Sequence, residues 1–291
     1  MLDLFGVGIR GSLIVVPLLG FAFILYGISR ARLRERNVNL EKEVEAGSRQ
    51  LREHIEDFDK AREIQQALLP SVIQQIKGCD IAGTWQPART VGGDYFDVIR
   101  FSDSKAGICI ADVVGKGVSA ALLMANLQAT VRAFARENTS PAEVCQRVNQ
   151  VICQNIISGK FITFFYALID TAGQRLVYAN AGHNAPLLVR GTDVIKLEEG
   201  GALLGVFPAW EYSGDSVALR SGDLLVLYTD GITEAANTVF EEFDDRRLMG
   251  MLQKSDGLAA REVQERIMSA VSDFCSGNFA DDATLLVLRF E

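Results

Sequence analysis

The chain changes character at Leu69-Pro70, and that break limits its fold more than any other feature. Residues 31–69 are rich in charge, poor in proline and glycine, and helix-forming throughout. A residue before proline resists the helical region, so the helix is expected to stop there. From Cys79 onward, short apolar runs are cut by Gly, Asp and Pro, which is the pattern of strands. The chain therefore reads as a long helical N-terminal part followed by a layered α+β body of about 215 residues, placed at residues 75–291.

The helical part divides in two. Residues 12–29 run SLIVVPLLGFAFILYGIS without a charge; as a helix they would span roughly 27 Å, close to the hydrocarbon core of a bilayer. Pro17 and Gly20 are tolerated in a helix that lies in lipid. A signal peptide would end in a small-residue cleavage site, where Arg30, Arg32, Arg34 and Arg36 stand instead. The expectation is a single-pass anchor over residues 1–30 in the cytoplasmic membrane. The arginine excess places the body in the cytoplasm. Over residues 31–70, heptad a and d positions fall at Leu33, Asn37, Leu40, Val44, Gly47, Leu51, His54, Phe58, Ala61, Gln65 and Leu68. That seam predicts a parallel coiled-coil homodimer, with Asn37 as the polar a residue that favours a pair and His54 as a seam residue.

In the body, strands are expected at residues 81–86, 93–100, 105–111, 161–170, 174–180, 186–190, 193–197, 215–219, 223–228 and 283–290. Links of two to five residues between several of them predict hairpins and antiparallel pairing. Three helices interrupt the strands. Residues 118–136 are apolar around most of the circumference, so this helix should be covered on more than one side. Residues 141–157 open with Ser140-Pro141-Ala142-Glu143, a capping box with proline at the first helical position. Residues 258–274 show one buried face. The run Leu285-Leu286-Val287-Leu288 lacks alternation and predicts a strand buried on both faces.

Composition narrows the chemistry. A formal net charge of -8 argues against a nucleic-acid surface. The cysteines show no C-x-x-C spacing, and Cys109 and Cys145 fall on apolar faces, so reduced thiols are expected. With His54 and His183 as the only histidines, a histidine-rich zinc site is excluded, and any metal would be held by oxygen, as magnesium or manganese are. Four segments put an aspartate beside glycine or beside a small residue at a strand start: Gly92-Gly93-Asp94-Tyr95-Phe96-Asp97, Ala111-Asp112-Val113-Val114-Gly115-Lys116-Gly117, Tyr228-Thr229-Asp230-Gly231 and Ala280-Asp281-Asp282-Ala283-Thr284. Each alone can be an ordinary turn or strand cap. Together they could hold two hard cations roughly 4 Å apart that activate water for attack on phosphorus.

In order and spacing these segments resemble the PPM, or type-2C, protein phosphatases, in their SpoIIE/RsbU-like branch. The resemblance covers residues 61–291. It begins with Ala61, Ile64, Gln65 and Leu68-Leu69-Pro70, continues through the aspartate segments, Asn180-Ala181-Gly182-His183-Asn184 and Leu204-Gly205, and closes on Asp281-Asp282-x-Thr284. It implies a four-layer α/β/β/α sandwich of two antiparallel sheets with two Mn2+ or Mg2+ ions at one sheet edge. It implies Asp112 as the carboxylate bridging both ions, the Val113 carbonyl in one shell, and Asp94, Asp230 and Asp281 on the second ion, with Asp94 and Asp112 acting in catalysis through metal-activated water. The implied reaction is hydrolysis of phosphoserine or phosphothreonine on a partner protein, of the anti-sigma-factor antagonist type. Eukaryotic relatives carry a histidine where Val114 stands and grip phosphate with an N-terminal arginine. Arg89 and Lys116 are the candidates for the phosphate here, and His183 is read as a structural hydrogen-bonding residue rather than an acid.

Two other functions fit parts of the pattern. Gly92-Gly93-Asp94-Tyr95-Phe96 mimics the turn of diguanylate cyclases, but Tyr95 stands where a cyclase needs glutamate, and the later aspartates would be idle. A catalytically silent binding scaffold would have lost at least one carboxylate, and all four are present.

Overall fold

The computed structural model describes residues 5–291, with side chains from Leu19 onward. A single helix, α1 (Phe5–Leu68), ends at the expected proline. The chain forms two compact units, Met1–Asp57 and Phe58–Glu291, so the last turns of α1 belong with the body. The apolar segment 12–29 lies partly outside the described side chains; among the described residues, no helix is long and apolar enough to cross a membrane. In the first unit Leu33, Leu40, Val44 and Leu51 are exposed on the single chain. In the second, Gln65 departs from the seam reading: it is buried within its own chain rather than turned to a partner.

The body is built on two sheets. One has the order β1 (Cys79–Gln86), β11 (Ala283–Phe290), β10 (Leu224–Tyr228), β6 (Leu187–Arg190) and β7 (Asp193–Lys196). In the other, β2 (Tyr95–Arg100), β3 (Lys105–Val113), β4 (Ile162–Asp170) and β5 (Arg175–Ala181) are followed by β8 (Gly200–Gly201), with β9 (Asp215–Ala218) also on β5. Pairing is antiparallel except at β8, which the sequence reading missed and which runs parallel to β5. β11 sits between β1 and β10, which is why its run of apolar residues does not alternate: nearly every position is buried.

Helices α2 (Val118–Phe134) and α3 (Pro141–Asn155) cover the second sheet, and their apolar faces join the inner faces of both sheets in one core. The Ser140 hydroxyl accepts from the Glu143 amide at the start of α3, as a capping box requires. α2 is covered on one face only along its first turns, where Val118 and Leu122 are exposed. Further along, Gln128 Nε2 donates to the Leu68 carbonyl at 3.2 Å, so the end of α1 supplies a second cover there. The outer face of the first sheet packs on α5 (Asp244–Leu252) and α6 (Ala260–Phe274) in a second core. The layers are therefore α/β/β/α. The five cysteines are free thiols, Cys109 and Cys145 among the buried ones.

Two helices went unforeseen. α4 (Asp230–Thr233) is a single turn. α5 opens on Asp244, whose φ of 62° is a turn conformation and whose Oδ1 accepts from the Arg246 and Arg247 amides at 2.7 and 3.1 Å, so this aspartate caps the helix with its own side chain.

Candidate metal centre

Both sheets run out at the same edge, and the four aspartates stand at their ends. Asp94 precedes β2, Asp112 is the penultimate residue of β3, Asp230 opens α4 after β10, and Asp281 comes just before β11. Asp112 is still in the strand, in register with Thr163 of β4, so the turn begins after Val113 rather than at the aspartate.

Asp94 is buried, and its Oδ2 accepts from Thr229 Oγ1 at 2.7 Å and Thr284 Oγ1 at 2.6 Å. These hydroxyls come from the other sheet, so Asp94 ties the two sheets together at the edge. Burial, and then the charge of Asp112, pushes the Asp94 carboxyl well above the ordinary range. Burial, followed by Asp230 and Asp281, pushes Asp112 up to about 7. Asp230 is raised by burial and then by Asp281. Each of these three carboxyls is raised in part by a neighbouring carboxylate, so the cluster has too little positive charge around it. The cation at hand is Lys116, whose Nζ is 2.8 Å from Asp281 Oδ2 and donates to the Ala280 carbonyl at 2.6 Å.

The donors suit a hard divalent cation: carboxylates from two sheets and a backbone carbonyl. A Cβ on Gly93 would stand 2.9 Å from the Val113 oxygen, which places that carbonyl against the Asp94 turn. Proximity is not yet convergence. Among the described residues, no three acidic, histidine or cysteine side chains stand in chelating array. Asp281 is turned onto Lys116 and Asp94 onto its two threonines, so the raised carboxyls report close neighbours and the geometry reports where each side chain points.

Asp282 explains why the motifs contain the glycines they do. Its Oδ1 accepts from the Ala88 amide at 2.8 Å and its Oδ2 from the Gly93 amide at 2.6 Å. A Cβ on Gly92 would lie 2.4 Å from that Oδ2, and one on Gly231 would lie 2.1 Å from the Asp282 carbonyl. Three separate motifs are thus one interlocked unit. Arg89 rides on the loop that Asp282 clamps at both ends; it is exposed and makes no hydrogen bond or ion pair among the described residues.

Four further residues have a part in the site that sequence reasoning did not assign them. Thr229 and Thr284 are hydroxyl donors to Asp94, and their position inside the Thr-Asp-Gly and Asp-Asp-x-Thr motifs was the available signal. Lys160 Nζ donates to the Val114 carbonyl at 2.9 Å, and a Cβ on Gly115, whose φ is 99°, would fall 2.3 Å from that ammonium. No local pattern marks Lys160. Gln65 Nε2 donates to the Gly92 carbonyl at 2.6 Å and its Oε1 accepts from the Gly92 amide at 2.9 Å, so the end of α1 grips the turn that carries Asp94. Tyr95 is buried with its hydroxyl donating to Asp97 at 2.9 Å, which leaves no acid where a cyclase would need one. His183 is buried, both ring nitrogens are engaged, and burial pushes its pKa down to about 4, consistent with a structural role.

Comparison with known proteins gives this edge its family. Residues 102–291 match the family described as Stage II sporulation protein E (SpoIIE). The chain is 31% identical over 236 residues to the phosphoserine phosphatase RsbU of Bacillus subtilis (strain 168), covering 80% of this chain and 70% of that protein. Its fold is similar to the SiaA-PP2C domain of Pseudomonas aeruginosa, with a TM-score of 0.72 and 23% identity over 82% of this chain and 98% of that one. A structure of RsbX in complex with magnesium is similar at a TM-score of 0.59 and 16% identity, covering 76% of this chain and 99% of that one. The structural likenesses speak for the fold alone. On the family match and the likeness to RsbU, the chain belongs to the SpoIIE family of PP2C-type phosphatases.

Proposed function

We propose that the chain hydrolyses phosphoserine or phosphothreonine on a regulatory partner protein, and that it does so with two Mg2+ or Mn2+ ions held at the shared edge of the sheets. The observation that carries this reading is the meeting of Asp94 and Asp112 from one sheet with Asp230 and Asp281 from the other, where neighbouring carboxylates help to raise Asp94, Asp112 and Asp230 and the Val113 carbonyl stands beside them. Asp112 and the Val113 carbonyl would hold one ion, and Asp94, Asp112, Asp230 and Asp281 the other. When bound, the ions activate water and offset charge that develops on the phosphoryl oxygens. The chain's own residues do the rest. Thr229 and Thr284 fix the Asp94 carboxylate, and Asp282 fixes the loop on which Arg89 can reach a phosphate. Lys116 shares Asp281 and is the second phosphate candidate.

The likeness to a phosphoserine phosphatase supports the reaction class, and the family resemblance points to a partner of the anti-sigma-factor antagonist type. Regulation is proposed through α1: an anchor at residues 1–30, a parallel dimer along the exposed heptad seam, and Gln65 on Gly92 as the contact through which helix packing reaches the Asp94 turn. The test is manganese-dependent hydrolysis of p-nitrophenyl phosphate and of a phosphoserine protein by the purified chain. Full activity in Asp112→Ala would sink the metal assignment. Equal activity of monomeric and zipper-fused forms would sink the regulatory one.

A further inference from the structure

The aspartates belong to two separately hydrogen-bonded sheets, so strand pairing cannot fix the distance between Asp112 on one and Asp230 on the other. A tie across the sheets must do so. Three ties end on the acidic segments themselves: the threonine hydroxyls on Asp94, Asp282 on the Gly93 turn, and Lys116 on Asp281. A fourth lies behind them.

His183 leaves the end of β5 through Gly182, whose φ is 71°. Its backbone is gripped from both sides by one residue: the His183 amide donates to Asn180 Oδ1 at 2.7 Å, and Asn180 Nδ2 donates to the His183 carbonyl at 3.0 Å. Asn180 Nδ2 also reaches the Leu197 carbonyl at 3.2 Å, so the grip is anchored to the loop after β7. The ring then spans the gap between sheets. Nε2 lies 3.2 Å from the Tyr228 carbonyl, at the end of β10 and two residues before Asp230. A carbonyl can only accept, so Nε2 carries the hydrogen and Nδ1 is the acceptor. Thr163 Oγ1, 2.8 Å away, therefore donates to Nδ1. Thr163 is the β4 residue in register with Asp112, and its Oγ1 is 3.4 Å from the Asp112 carbonyl. The path is Asp112 strand, Thr163, imidazole, Tyr228, Asp230 turn.

We infer that His183 is a positioning residue: its imidazole is a strut between the two sheets that sets the spacing of Asp112 and Asp230 and thereby the divalent-metal affinity of the edge. The inference rests on the metal-dependent reading above. With both nitrogens committed and the ring shut away from solvent, His183 has no proton to offer a leaving group. Its contribution comes through the backbone positions of two carboxylates, as partners behind metal ligands contribute elsewhere.

The experiment is calorimetric titration of Mn2+ into the purified full chain, wild type and variants, with Tm measured alongside, and with KM and kcat for p-nitrophenyl phosphate at saturating Mn2+. His183→Phe keeps a flat ring and loses both hydrogen bonds; about 10- to 100-fold weaker Mn2+ binding is expected, with KM little changed. His183→Gln, whose amide can still donate to Tyr228, should fall between Phe and wild type. Thr163→Val removes the hydroxyl alone and should weaken binding several-fold in the same direction. If His183→Phe fails to fold, Thr163→Val decides. Variants that bind Mn2+ like wild type overturn the inference, whatever their Tm. A wild-type chain that binds no Mn2+ overturns the metal reading itself, which is a distinguishable failure.

Discussion

Two buried aspartates stand three residues apart and are neutralised in opposite ways. Asp97, inside β2, receives a bidentate Arg132 guanidinium from α2 at 2.7 and 3.1 Å, the Tyr95 hydroxyl at 2.9 Å and the Val98 amide at 2.9 Å. Asp94, at the head of the same strand, receives two hydroxyls and faces another carboxylate. The first arrangement is complete: a buried charge with a matched cation and its lone pairs filled. The second has donors but no cation, and its neighbours are of its own sign. Buried acids that are satisfied hold the fold together; buried acids that repel one another mark the place where a cation is wanted.

Substitution should separate the two classes. Asp112→Asn is expected to lower metal-dependent turnover by about three orders of magnitude, the scale of losing a preorganised electrostatic group. In metal-free buffer at neutral pH, the same change should raise Tm. The sign follows from the raised carboxyl: the folded state holds a proton more tightly than the unfolded chain does, so ionised Asp112 opposes folding as pH rises from its unfolded value towards about 7. A lowered Tm would place Asp112 in the same class as Asp97. Arg132→Met should do the reverse. It leaves Asp97 buried without its cation, costs about 1–3 kcal/mol in chemical denaturation because the guanidinium position is half exposed and open to water, and changes Mn2+ affinity little. The comparison breaks if the two variants trade these effects.

His183 is a third kind of buried polar group, neutral by necessity. Burial holds it down to about 4 against 6.5 in the free side chain. A depressed imidazole stabilises the fold above about pH 6.5, and that stability drains as pH falls towards 4, because the unfolded chain takes up the proton first. Up to roughly 3 kcal/mol is involved over that window. Denaturation midpoints between pH 7 and 4.5 should therefore fall less steeply in His183→Gln than in wild type. Parallel slopes would mean that the ring is protonated in place.

How much of this could be read from the chain depends on where each interaction's partner lies. The strands of the body other than β8 were legible because most are contiguous apolar runs ended by turn residues, whereas β8 is a bare Gly-Gly pair; the α/β/β/α order followed from the resemblance. The four aspartates were legible because each sits beside its own glycine or small residue. Asp282 looked like a strand cap, since its partners Ala88 and Gly93 are nearly two hundred residues away. Gln65 fitted a heptad seam equally well, and only the approach of Gly92 distinguishes the two roles. The start of β2 and the end of β3 were each misjudged by two residues because strand and turn differ there by cross-strand pairing, not by composition. α5 was missed because its nine residues are too few to show a helical period, although Asp244 caps them by accepting from the Arg246 and Arg247 amides.

Lys116 gives the smallest effect and the finest test of the contrast. Its pair with Asp281 is close at 2.8 Å, yet both side chains are more than a third exposed, at 36% and 37%. An ion pair in that setting contributes about 0–1 kcal/mol, so Lys116→Gln should barely move Tm, unlike Arg132→Met. If the lysine serves the phosphate, as the site reading proposes, the same variant should raise KM for a phosphoserine protein severalfold and leave Mn2+ affinity near wild type. If it serves only as the partner of Asp281, its removal frees that carboxylate, and Mn2+ should bind more tightly with KM unchanged. Measuring KM and the Mn2+ dissociation constant on one preparation distinguishes a cation aimed at substrate from one that merely occupies a carboxylate, at the edge of the molecule where the acids lack a matched cation.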